Sequence, residues 1–279
     1  MRVLGLSVVF AAGCALADPV TEEAPSPLVP PLSSFSAMAP TALELSAADI
    51  IAKAHAAAGG EAWVRPGSLF LRGYNVMHRG EIAEGGTPDV YDQYAMWRVY
   101  ADEKADAHAA NGKVRIEAWT GETLRLLLTF DGEATYTQNG RMPPSAADAQ
   151  WSNSFGFGAI RNALDEGWTQ RRLPDDFVDG RAAHFVELSD PAGGVTHFGI
   201  AMDDFAILSV GFDTPRGWHE RRYSDFFTKP GVSWVQPGRV RLFYDGVKAN
   251  EAVWTDFEVG GVFPDEAFVV ETAPSEPTF

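Results

Sequence analysis

Cysteine is almost absent from this chain: Cys14 is the single one in 279 residues. One thiol excludes an intrachain disulfide, and without a Cys-x-x-Cys-His run there is no cysteine-held haem. The rest of the chain therefore has no thiol nucleophile. Basic residues are also scarce, 22 Lys and Arg against 38 Asp and Glu, for a formal charge of −16. Such a surface repels phosphate backbones and anionic headgroups, which argues against a nucleic-acid partner. No apolar run is long enough to span a bilayer as a helix, which takes about 20 residues. No G-x-S-x-G elbow, phosphate loop, dinucleotide fingerprint or H-E-x-x-H pair is present. Asp175-Asp176 and Asp203-Asp204 are adjacent carboxylates. Neighbours on a strand face opposite sides, so they make poor acid and base partners.

What is present begins with an export signal. Arg2 supplies a positive charge, residues 3–12 an apolar run, and Ala15-Leu16-Ala17 a small-x-small cleavage site before Asp18. Residues 1–17 are thus expected to be a signal peptide. Ala11-Ala12-Gly13-Cys14 offers a second reading, because it is similar to a bacterial lipoprotein box with Ala at its first position. Cleavage after Ala17 predicts a free periplasmic protein. Lipidation of Cys14 predicts an outer-membrane lipoprotein. Residues 18–45 hold Pro19, Pro25, Pro27, Pro30, Pro31 and Pro40 and read as a flexible tether.

A single domain is expected over residues 46–271, followed by a tail at 272–279. Ser46 with Asp49 three residues on forms a capping-box pattern. Ile50, Ile51, Ala54 and Ala57 supply an apolar helix face, and Gly59-Gly60 ends it. From Leu69 the period becomes two. Val114, Ile116 and Ala118 alternate with Arg115, Glu117 and Trp119; Leu124, Leu126, Leu128 and Phe130 alternate with Arg125, Leu127 and Thr129. Asn111-Gly112, Asp131-Gly132, Asn139-Gly140, Asp179-Gly180 and Asp245-Gly246 mark tight turns. The expectation is a mainly β (α+β) domain, an antiparallel meander of about 9–11 strands. Alternation lapses over residues 142–174, where Met142-Pro143-Pro144 breaks any strand and residues 157–166 carry a weak helical pattern with Ile160 and Leu164 on one face.

This order of parts resembles the periplasmic lipoprotein-carrier superfamily, whose members include the soluble lipoprotein chaperone and the outer-membrane lipoprotein acceptor. The resemblance rests on residues 48–54 with Gly59-Gly60, residues 126–133 with Tyr136, Val178-Asp179-Gly180-Arg181, residues 184–188, and the aromatic stretch from Tyr223 through Trp254 to Phe268. It implies a curved, incomplete antiparallel barrel with an N-terminal helix and a helical lid insert over its mouth. It also implies that alternate strand residues line a concave face.

Candidate ligand-binding residues on that face are Val114, Ile116, Leu124, Leu126, Leu128 and Phe130. The insert adds Trp151, Phe155, Phe157 and Ile160 as a candidate lid, with Gly156 and Gly158 permitting motion. The same patterns also fit plain core and a docked helix. Trp119 and Leu127 point to the other face, which suggests a strand covered on both sides. Trp218, His219, Tyr223, Trp234 and Trp254 make the later part aromatic. The six histidines form no close ligand pair. His184 and His197 become cross-strand neighbours if residues 191–194 make a hairpin, with Asp203-Asp204 as added oxygen donors, but ordinary polar strand residues explain them as well.

The sequence thus favours a non-catalytic envelope protein that binds a hydrophobic ligand, a lipid or the acyl chain of a lipidated protein, in a half-barrel. No cofactor and no metal site are expected, and a membrane tether only if Cys14 is acylated. An alternative is a structural or protein–protein interaction module whose barrel is filled by its own side chains. A third is a metal-dependent hydrolase with an arrangement that local motifs do not reveal.

Overall fold

The computed structural model describes residues 45–78, 87–100, 112–144 and 157–279. The expected signal peptide, nearly all of the tether, Cys14, Trp151 and Phe155 lie outside them. The chain opens with helix α1 (Ala47–Ala58). Its N-terminus carries the capping box read from the sequence: the Asp49 amide donates to Ser46 Oγ at 3.1 Å, and the Ser46 amide donates to Asp49 Oδ2 at 3.2 Å. Ile50, Ile51 and Ala54 form its buried face. A single further turn, α2 (Glu61–Val64), buries Trp63.

Six strands follow: β1 (Ser68–Met77), β2 (Asp89–Val99), β3 (Lys113–Thr120), β4 (Thr123–Phe130), β5 (Thr135–Thr137) and β6 (Gly140–Arg141). The short helix α3 (Gly158–Asn162) leads to seven more: β7 (Thr169–Val178), β8 (Arg181–Ser189), β9 (Val195–Ala201), β10 (Ile207–Thr214), β11 (Gly217–Phe227), β12 (Gln236–Tyr244) and β13 (Val247–Val259). A 3-10 turn, Asp265–Phe268, lies near the C-terminus.

All thirteen strands form one antiparallel sheet in the order β6-β5-β4-β3-β2-β1-β13-β12-β11-β10-β9-β8-β7. Each half is a meander, and the halves join where β1 pairs with β13. Strands β6 and β7 do not pair, so the sheet is an incomplete barrel. The strand count exceeds the expected 9–11 because β5 and β6, three and two residues long, are too short to show alternation. Two turns match the tight-hairpin expectation closely. Asp179-Gly180 has φ 49° and 83°, and Asp245-Gly246 has φ 48° and 80°, positive at both central positions.

One face of the sheet, here the inner face, carries α1, α2 and α3. Ile50, Ile51, Ala54 and Trp63 pack there with Ile160, Val186, Leu188, Phe198, Ile200, Val210 and Phe257 in one core. The outer face of β3 and β4 is covered as well, as Trp119 and Leu127 suggested; both are buried. Its cover is the C-terminal segment. Arg115 Nη1 donates to the Ala267 carbonyl at 2.8 Å, and Thr129 Oγ1 to the Phe268 carbonyl at 2.6 Å. Glu117, with no exposed surface, accepts from Arg115, from Trp119 Nε1 at 2.8 Å, and from the amide and hydroxyl of Thr278 at 3.0 and 2.9 Å. Phe279 meets Trp97 edge-on at 5.6 Å. The residues expected as a tail therefore return to the sheet.

Removing one partner of a buried ion pair leaves the other charge uncompensated. Glu117→Ala is expected to lower unfolding stability by about 3–5 kcal/mol, seen as a lower urea midpoint. An unchanged midpoint would show that this carboxylate does not hold the C-terminal segment.

Candidate functional site

Strand register sets the inner face out in rows. One row runs Phe257, Leu71, Met96, Ile116, Leu128 across β13, β1, β2, β3 and β4. A second runs Trp254, Gly73, Tyr94, Ala118, Leu126, and a third Val259, Leu69, Arg98, Val114, Phe130. The first row changes character along its length. Phe257 is 0% exposed and Leu71 3%, whereas Met96, Ile116 and Leu128 are only half-buried. Apolar surface therefore emerges from the core toward β4. Gly73 sits mid-sheet because a Cβ there would lie 1.8 Å from the Val253 carbonyl oxygen. Its missing side chain lets Tyr94 and Trp254, its two cross-strand partners, stack across it at 5.1 Å.

The candidate residues divide between open surface and core. Ile116, Leu126 and Leu128 hold the half-buried rows. Val114 and Phe130 face each other directly, both 1% exposed, and pack with Met96, Ile116 and Leu128. A register shift places Leu124 opposite Trp119 rather than in the row. Ile160 is fully buried in the main core. Phe157 is wedged between Trp63 at 5.5 Å and Tyr223 at 4.7 Å. The described part of the insert thus plugs the inner face over the second meander, and Leu164 is its exposed apolar residue.

Beside the apolar rows lies a group of cations that no local pattern announced. Arg98 projects one position along the inner face from Met96. Its guanidinium carbon is 5.2 Å from the Tyr100 ring centre, and that of Arg161, from α3, is 4.9 Å from the same ring. Arg161 is 5% exposed and also lies over Trp63 at 4.5 Å and Trp234 at 5.4 Å. Burial pushes the Arg98 guanidinium down to about 10, with Arg161 and Arg221 adding like-charge repulsion. Burial pulls the Tyr100 phenol up, but Arg161, Arg98 and a hydrogen bond with Arg161 outweigh it and hold the phenol below its ordinary value. The only sequence signal was Arg161 directly after Ile160 in the insert.

No family model matches the chain, and no curated protein does. Solved structures do. A LolA-superfamily protein from Nitrosomonas europaea is similar, with TM-score 0.46 and 14% identity over 81% of this chain and 98% of that one. A putative outer-membrane lipoprotein-sorting protein domain from Vibrio parahaemolyticus gives 0.45 and 10% over 78% and 94%. A DUF1329-family protein from Desulfovibrio piger gives 0.47 and 10% over 82% and 99%. The superfamily named from the sequence is among these likenesses, which concern the fold.

The described histidines are dispersed. Residues 190–194 do turn β8 into β9, but His184 lies opposite Ile200 and His197 opposite Glu187. Three register positions separate them, so they occupy opposite faces. His184 Nδ1 lies 3.0 Å from Asp175, His197 Nε2 lies 3.2 Å from Glu187, and Asp203 and Asp204 both bind Arg181. Among the described residues no cluster of three metal-ligating side chains occurs.

His219 is buried, stacked on Phe212 at 4.5 Å and edge-on to Tyr244 at 5.2 Å, and its Nε2 has no hydrogen-bond partner. Burial, then Arg221 and Arg216, push it from 6.5 down to about 3. The unfolded chain therefore binds this proton first, and stability falls as pH drops from 6.5 toward 3. His219→Phe keeps the stacking and removes the proton site. Its denaturant midpoint should fall less than that of the parent protein over this window; parallel curves would refute the assignment.

Proposed function

We propose that this protein is a non-catalytic, exported binder of a hydrophobic ligand, a lipid or an acyl chain. Its site is the inner face of β2–β4. The observation that carries this reading is the row Met96, Ile116, Leu128, apolar, half-buried and continuous with the core through Leu71 and Phe257. An extended chain lying on it would exchange water for contact with each side chain. Fully burying such a residue contributes about 1.5–3 kcal/mol, so completing the burial of three half-buried ones gives useful affinity. The acidic exterior suits a protein that keeps its greasy surface for one partner and stays apart from anionic membranes.

The competing reading, a filled structural module, draws on a different observation. Trp63, Phe157, Tyr223 and Trp234 close the inner face beneath α2 and α3. That plug confines any ligand to the β2–β4 half instead of the centre of the half-barrel. On either reading the protein makes and breaks no bonds.

The two separate on binding of a neutral apolar fluorophore, N-phenylnaphthylamine. Saturable enhancement is expected from the parent protein. Ile116→Asp should weaken it about tenfold or more, the equivalent of about 1.4 kcal/mol or more. Val195→Asp, at an exposed valine on β9, should not. A parent protein that gives no saturable signal, and carries no lipid in native mass spectra after purification from a membrane-containing lysate, has a filled inner face and no such function.

A further inference from the structure

Strand register carries the apolar row past β4 to the edge of the sheet. Leu128 lies opposite Thr137 on β5, and Thr137 opposite Gly140 on β6. Met96, Ile116, Leu128, Thr137 and Gly140 are thus one row across five strands, all five half-buried and none charged. Four inter-strand gaps of about 4.8 Å make the row about 19 Å long, the length of an extended alkyl chain of about fifteen carbons.

The two ends of the row differ. Beyond Met96 it runs into Leu71 and Phe257, 3% and 0% exposed, so the core closes that end. The other end is Gly140. A Cβ there would meet nothing within 4 Å, and among the described strands β6 pairs with β5 alone. This end opens at the edge of the sheet. Neighbouring positions set the direction. Along β3 the half-buried surface stops at once, because Val114 and Ala118 on either side of Ile116 are 1% and 0% exposed. Val114 in turn aligns with Phe130 and Thr135, 1% and 7% exposed, and this buried row bounds the first on one side from β3 to β5. Only across the strands do five successive positions stay half-buried.

We propose that the ligand carries a linear alkyl chain lying across β2–β6, its methyl end against Leu71 and its headgroup leaving the sheet past Gly140. This rests on the ligand-binding reading above and adds a selectivity to it: the site measures chain length and leaves the headgroup outside. Each methylene over the row exchanges water for protein, whereas methylenes past Gly140 stay in water and add nothing.

Displacement of bound N-phenylnaphthylamine by alkylphosphocholines, each kept below its micelle threshold, tests this. Potency is expected to rise about tenfold or more from the decyl to the hexadecyl compound, and to change by less than about twofold from hexadecyl to eicosyl. Thr137→Asp puts a carboxylate in the path, and covering it with a chain costs its hydration. That variant's series should level off by the dodecyl compound, with the decyl compound losing least. Potency that climbs all the way to eicosyl, or does not depend on length, overturns the proposal while leaving apolar binding intact. So does a fluorophore that no member of the series displaces. A levelling point unmoved in Thr137→Asp means that the chain does not reach β5, and overturns it as well. Should that variant fail to fold, the levelling point of the parent protein still decides. A parent protein that takes up no fluorophore removes the proposal together with the reading beneath it.

Discussion

The pairing of β1 with β13 is the constraint on which the rest of the structure depends. Without it the chain is two antiparallel meanders, each with two free edges. With it the sheet is continuous from β6 to β7, and a single inner face serves both halves. The joint is narrow in chemical terms. Gly73 brings the β1 backbone against that of β13, and Tyr94 and Trp254 stack over the gap. Register shifts on both sides of Gly73 keep the rows aligned through this crossing. Any change that moves the register there moves every row that the candidate site uses.

Much of this organisation is legible in the sequence because it is local. The Ser46 and Asp49 pair, the glycines after α1, the period of two and the Asp-Gly turns each need only a few neighbouring residues, and each appears in the structure in that role. Parity correctly put Trp119 and Leu127 opposite Ile116 and Leu128. It could not say what covers them, because Thr278 lies 161 residues from Glu117. Arg115 and Glu117, which share that face, are a buried pair. The same limit explains Ile160 and Arg161. A five-residue helix has too little periodicity to show its buried face, and an arginine there reads as exposed until Trp63, Tyr100 and Trp234 are brought around it from three other segments.

The distribution of charge follows a division between the two faces. Outside, guanidiniums find carboxylates: Arg171 meets Glu187, Arg181 meets Asp203 and Asp204, and Arg239 meets Asp225. Exposed pairs of this kind contribute little to stability, about 0–1 kcal/mol each. The outer pair beneath the C-terminal segment is different, since Glu117 is fully buried and satisfied by several donors. On the inner face, Arg161 stands among aromatic rings, while Arg172 pairs with Asp175. A ring face stabilises a buried cation, as Trp63 and Trp234 do for Arg161.

Helix placement bears on where apolar surface is left on the inner face. Helix α2 ends at Val64 and β1 begins at Ser68, so α2 cannot travel far from β1. Helix α3 ends at Asn162 and β7 begins at Thr169, which ties it to the opposite edge. Helix α1 lies against β7, where Arg172 Nη1 donates to the Leu45 carbonyl at 3.0 Å, and α1 and α3 meet through the bond between His55 Nε2 and the Ile160 carbonyl at 2.7 Å. Among the described residues, Ile116, Leu126 and Leu128 of β3 and β4 lie outside the core that α1, α2 and α3 close. Their alternation was built as if for a core, with Ile116, Leu126 and Leu128 in phase. The outer side of the same strands is sealed by the C-terminal segment, so rotating or slipping them to hide these residues would expose Glu117, Trp119 and Leu127 instead. The half-buried row is thus held open by what is packed behind it.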